Sequence, residues 1–132
     1  MFSEYTFVFD IDGTICPIKK KEEKYKDLVP YSEVVEKLQY YHENGAKIVL
    51  FTSRNMASYN GNIGLINKNT AKILSQWLEK WNIPYDEIIY GKPWPGHKGF
   101  YVDDRSVRPD EFLMNDVEGL NRICEEARQR LK

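Results

Sequence analysis

The chain has 132 residues, 42% of them hydrophobic and 30% charged, with a net charge of −1. A chain of that length makes one domain able to bury about two-thirds of its unfolded surface. The near-neutral balance argues against a protein held to nucleic acid mainly by charge, so nucleic acid is an unlikely partner. No apolar run approaches the ~20 residues needed to span a bilayer. Met1-Phe2-Ser3-Glu4 does not open a basic and then apolar secretion signal.

Taken in chain order, an apolar, β-prone run beginning at Tyr5 leads through Phe7, Val8 and Phe9 into Asp10 and predicts a buried strand. Residues 15–30 follow as a polar flap carrying Lys19-Lys20-Lys21, a run expected to be mostly solvated. After Pro30, an amphipathic helix presents Val34, Val35, Leu38 and Tyr41, and Asn44-Gly45 is its left-handed cap. Ala46 to Phe51 reads as a second strand leaving at Thr52-Ser53-Arg54. A polar substrate loop spans residues 54–68, with a turn at Tyr59-Asn60-Gly61-Asn62. Ala71, Leu74, Trp77, Leu78 and Trp81 then predict a helix whose stripe faces the core. Glu87 to Tyr90 is a third strand and Phe100 to Val102 a fourth, ending at Asp103-Asp104. Val117, Leu120, Cys124, Ala127 and Leu131 mark a last helix. Strands alternating with helices predict an α/β fold: a three-layer, Rossmann-like parallel sheet with helices on both faces. Ligands in such sheets collect at the carboxyl ends of strands, where Asp10, Thr52 and Asp103-Asp104 all fall.

The chemistry concentrates at Asp10 and Asp12. Side chains two apart on extended backbone point the same way, and Gly13 allows a sharp turn after them. Two converging carboxylates repel each other, so a cation or a chemical task is expected to keep them together. A calcium loop starting at Asp10 is excluded by position, since Ile15 and Lys21 stand where that loop needs Gly and Glu. Cys16 and Cys124 form no disulfide framework; a cytoplasmic protein is expected, with Cys16 a packing residue. His42 and His97 are isolated and make no zinc site.

The strand with D-x-D-G-T resembles the nucleophile motif of the haloacid dehalogenase superfamily of phosphatases. The resemblance extends to F-T-S-R-N-M, to Y-G-K-P-W-P-G and to Y-V-D-D-R-S, nearly the full chain. At the level of a subgroup, the chain is similar to small capless phosphatases of capsular polysaccharide biosynthesis. The resemblance implies a catalytic set of Asp10, Asp12, Thr52 and Lys92, with Lys98 the competitor for the lysine. It implies phosphate binding by Thr52, Ser53, Arg54, Lys92 and Gly13, with Arg54 meeting the rest of an anionic substrate. It further implies Mg²⁺ held by the Asp10 side chain, the Asp12 carbonyl and Asp104, with Asp103 acting through water or by pairing with Lys92, or with Asp103 and Asp104 exchanging these roles.

The implied reaction is hydrolysis of a small phosphomonoester, a sugar or amino-alcohol phosphate, through an aspartyl-phosphate on Asp10. Neither 15–30 nor 54–68 is long enough for a folded cap, so the site is open or covered by loops or a neighbouring subunit. A homo-oligomer is compatible with exposed aromatics such as Trp94. Two other readings stay open. V-D-D-R also resembles the phosphatase half of polynucleotide kinase-phosphatases, which process nucleic-acid ends. A non-enzymatic phospho-receiver module also uses an acidic pocket with Mg²⁺, Thr and Lys.

Overall fold

The computed structural model describes residues 1–131, which fall into two compact units, Met1–Trp94 and Pro95–Lys132. The first unit alternates strands and helices: β1 Thr6–Phe9, α1 Ser32–Glu43, β2 Lys47–Thr52, α2 Ile63–Lys80 and β3 Glu87–Tyr90. The strands are parallel in the order β1-β2-β3, with Phe9 level with Leu50, and Thr52 level with Tyr90. This register brings all three carboxyl ends to one edge, so the residues following Phe9, Thr52 and Tyr90 share a neighbourhood.

The core explains why these segments are ordered. Ile48 and Leu50 of β2 are buried, as are the helix residues Leu38, Leu74 and Leu78 and the loop residues Ile11 and Ile15. Each such side chain contributes about 1.5–3 kcal/mol by leaving water. The α1 stripe is the expected one, Val34, Val35, Leu38 and Tyr41, all buried. On the opposite face of the sheet, Val8 and Ile89 remain exposed.

α2 begins earlier than its sequence suggests. Asn62 closes the polar loop and its side chain accepts the Leu65 N–H at 3.1 Å, so the helix starts at Ile63 inside the loop expected over 54–68. Side-chain capping of an orphan N–H sets that boundary, and Ile63-Gly64-Leu65 carries too weak a pattern to announce it. Between β1 and α1 lies only a 3-10 turn, Tyr25–Asp27, within the flap. Among the described residues no cap domain is inserted.

The second unit holds α3 Pro109–Met114 and α4 Val117–Gln129. The expected fourth strand is not formed: residues 100–102 belong to no strand and are exposed. A three-residue apolar run becomes a strand only where a neighbouring edge supplies its hydrogen bonds. α3 was not legible in the sequence; Pro109 at its first turn and Glu111 accepting the Arg108 N–H at 2.8 Å start it. α4 is capped by Asp116, which accepts the Gly119 N–H at 2.8 Å. No helix is long and apolar enough to cross a membrane among the described residues.

Candidate active site

Asp10 leaves β1, and the chain then folds back on itself at once. The N–H groups of Thr14, Ile15 and Cys16 all donate to the Ile11 carbonyl, and Gly13 donates to Cys16 at 2.7 Å. Gly13 has φ +87, a left-handed conformation costly for any residue with a Cβ, and a Cβ there would meet the Ile18 side chain.

Lys92 follows β3 by two residues, and its N–H donates to the Thr52 carbonyl at 3.1 Å, tying the third strand exit to the second. Its ammonium lies 3.5 Å from Asp10 Oδ1, and the Thr14 hydroxyl approaches Asp10 Oδ2 at 3.4 Å. Gly91 makes that approach possible. Its φ is +89, and a Cβ on it would collide with the Ile63 side chain. The structure thus places Lys92 beside Asp10. Burial raises the Asp10 pKa above its ordinary value, and the Lys92 charge offsets this only in part.

Thr52 ends β2 with its hydroxyl buried, accepting the Arg54 N–H at 3.0 Å. Ser53 is half-buried, and its carbonyl accepts the Met56 N–H.

Arg54 takes a place different from the expected fork toward substrate. Its side chain is 1% exposed, and it grips Asp12 with both arms, Nε to Oδ2 at 2.9 Å and Nη2 to Oδ1 at 3.0 Å. The physical reason is that a buried guanidinium needs a carboxylate partner, and Asp12 is within reach. The guanidinium also lies 4.2 Å from the Tyr25 ring centroid and 5.8 Å from that of Trp77. Trp77 in turn donates its indole N–H to the Leu28 carbonyl at 2.7 Å, pinning the flap to α2. Cys16 completes the enclosure, with Sγ 3.6 Å from Asp12 Oδ1. Burial, with the Asp12 charge beside it, pushes that thiol up to about 12, so it is a packing residue and no nucleophile at neutral pH.

Three residues around Asp10 and the Asp12–Arg54 pair were not singled out from the sequence. Thr14, which approaches Asp10, stood inside D-G-T as part of the turn. Trp77 was read only as core stripe, and Tyr25, in a lysine-rich polar segment, carried no local signal.

The second acidic pair is described within its own unit. Asp103 accepts the Arg105 N–H at 3.2 Å and the Ser106 hydroxyl at 3.3 Å; these donors, the Arg105 amide foremost, hold its carboxyl below the usual range. Asp104 pairs with Arg128 of α4 at 3.1 Å. No group of three or more His, Cys, Asp or Glu side chains arranged to hold a metal ion occurs among the described residues. The fourth strand expected to deliver this second pair is not formed.

Residues 6–91 match the model of the family described as polynucleotide kinase 3 phosphatase. A crystal structure of a target protein from Vibrio cholerae is similar to the chain, with 43% identity and a TM-score of 0.87, covering 93% of this chain and 98% of that one. A chain of a Pnkp1/Rnl/Hen1 complex is similar at 18% identity and a TM-score of 0.49, covering 83% of this chain and 33% of its own, a likeness too slight to carry weight. No curated protein matches.

Proposed function

For a chain that belongs to the polynucleotide kinase 3 phosphatase family, and is thereby a phosphoric monoester hydrolase, we propose hydrolysis of the terminal 3′-phosphate of a polynucleotide, with Asp10 as nucleophile. The observation that carries the reading is the convergence of three strand exits on two carboxylates, with Lys92 on Asp10 and Arg54 on Asp12. The lack of an inserted cap suits a substrate that extends away from the site.

In this reading Asp10 attacks phosphorus in line, the bond to the leaving oxygen breaks, and an aspartyl-phosphate forms. Asp12 delivers a proton to the departing oxygen. Its carboxylate is held from one side by Arg54, and each oxygen keeps a further lone pair for that proton. Asp12 then takes a proton from the water that attacks the phosphorus, which releases inorganic phosphate and frees Asp10. Lys92 offsets charge on the phosphoryl oxygens, with Thr52, Ser53 and the turn at Gly13 shaping the pocket that receives them.

Mg²⁺ is the cofactor of this proposal. The Asp10 carboxylate and the Asp12 carbonyl are hard oxygen donors of the kind it takes, and the charge of half-buried Asp10, offset only in part by Lys92, favours a cation there. Asp104 and Asp103 belong to the metal set that the superfamily resemblance implies. When bound, the ion neutralises negative charge gathered at the phosphoryl group.

A second reading, hydrolysis of a sugar or amino-alcohol phosphate for capsule precursors, is favoured by the net charge of −1, which offers a polynucleotide little general attraction. The test is a panel of 3′-phosphorylated oligonucleotides, nucleoside 3′-monophosphates, sugar phosphates and amino-alcohol phosphates, with and without Mg²⁺. A kcat/KM for the oligonucleotide at least about tenfold above every metabolite, ~1.4 kcal/mol of extra transition-state binding, supports the first reading. The reverse order supports the second. Release of phosphate from none of them overturns both.

A further inference from the structure

The flap between β1 and α1 is fastened at two points, by the Tyr31 N–H on the Ile15 carbonyl at 2.8 Å and by the Trp77 indole on Leu28 at 2.7 Å. Between these ties, Tyr25 lays its ring 4.2 Å from the Arg54 guanidinium carbon. Arg54 spends both arms of its fork on Asp12, so the order is ring, guanidinium, carboxylate. A guanidinium free to rotate about its long side chain would break one or both of those hydrogen bonds. A ring packed on its face removes that freedom and keeps water from the pair, which strengthens it. The Tyr25 phenol is held neutral by burial, above its ordinary value, so it adds no competing charge beside Asp12.

We propose that Tyr25 is a positioning residue for the general acid–base step: its ring clamps Arg54, and through Arg54 it fixes the carboxylate of Asp12 against the leaving oxygen. The inference rests on the reading of Asp12 as acid and base given above. Tyr25 touches neither substrate nor reacting atoms. Its contribution is orientation, and a misplacement of about 1 Å can cost on the order of 100-fold in rate.

The consequence is selective, which makes it separable from a merely structural role. A leaving group that departs readily as an anion, such as p-nitrophenolate, needs little proton donation. An alkoxide leaving group needs nearly all of it. The experiment measures kcat for an alkyl phosphate, nucleoside 3′-monophosphate, and for p-nitrophenyl phosphate on the same preparations of wild type, Tyr25→Ala and Tyr25→Phe. The ratio of the two rates cancels the fraction of folded enzyme, so partial misfolding does not obscure the result.

Tyr25→Ala is expected to lower the alkyl-to-aryl ratio by about tenfold, a part of the 10²–10⁴ that general acid catalysis supplies. Tyr25→Phe, which keeps the ring, is expected to restore the ratio to within about twofold of wild type, a few tenths of a kcal/mol. An equal loss on both substrates in Tyr25→Ala, or no loss, overturns the proposal. So does Tyr25→Phe behaving like Tyr25→Ala, since the hydroxyl rather than the ring would then matter. Wild type inactive on both substrates is a different failure: it removes the phosphatase mechanism itself, and this inference with it.

Discussion

Replacing Arg54 by Leu leaves the Asp12 carboxylate without its partner. The guanidinium is almost wholly enclosed, whereas the Asp12 side chain is 22% exposed. Breaking a buried ion pair from one side costs about 3–5 kcal/mol, and partial solvation of the remaining charge favours the lower end. Loss of the Tyr25 contact adds about 0.5–1 kcal/mol to this. For 132 residues, unfolding entropy of about 2.1 cal/mol/K per residue sums to about 0.28 kcal/mol/K, so a loss of ~3 kcal/mol lowers Tm by about 11 °C. The informative companion is Arg54→Leu combined with Asp12→Asn, in which no charge is stranded. Calorimetry and urea unfolding of the two single variants and the double should give a coupling energy of at least about 1.5 kcal/mol, with the double more stable than the sum of the singles. Additivity within about 0.5 kcal/mol, or an Arg54→Leu variant melting within a few degrees of wild type, refutes the reasoning that the buried guanidinium depends on Asp12.

Asp10→Asn is expected to lower turnover by more than about 10³-fold, because it removes the nucleophile, while raising the stability of the metal-free protein. The sign follows from a folded-state pKa above the ordinary 3.8: the ionised form is disfavoured by burial, so the penalty is full at neutral pH and disappears as pH falls through the raised value toward 3.8. Urea midpoints at pH 7 and at pH 3.5 check this, and a variant less stable than wild type at pH 7 contradicts it. Gly91→Ala should strain a φ of +89 by about 1–2 kcal/mol and push against Ile63, displacing Lys92 and raising KM; Gly91→Ala with Ile63→Ala should recover part of the loss. Cys16 should resist iodoacetamide at pH 8 in the native protein and label only on unfolding, as followed by intact mass. Chelation by EDTA should abolish phosphate release and Mg²⁺ restore it, with a matching heat of Mg²⁺ binding; activity indifferent to EDTA removes the cofactor from the proposal.

Much of the first unit was legible because its signals are local. Alternating and continuous apolar runs named β1, β2, β3 and the α1 face, and the Asn44-Gly45 end of α1 follows from neighbours in sequence. The motif at Asp10 pointed to phosphoryl chemistry, and parallel topology put Thr52 and Lys92 at neighbouring strand exits. The residues 100–102 show the limit of that approach: an apolar triplet has the composition of a strand, but pairing requires a partner edge that no local pattern supplies.

Composition and spacing alone determined the α/β class, the sheet direction and the paired aspartates, because each depends on backbone preferences or on side chains a few positions apart; Lys92 came from the family resemblance. Only tertiary packing decided what Arg54 does. Its partner lies 42 positions earlier, and the indole that anchors the flap around it reaches a carbonyl 49 positions away. A buried cation takes whichever carboxylate the fold leaves within reach, and that proximity is written in the assembled core rather than in any stretch of chain.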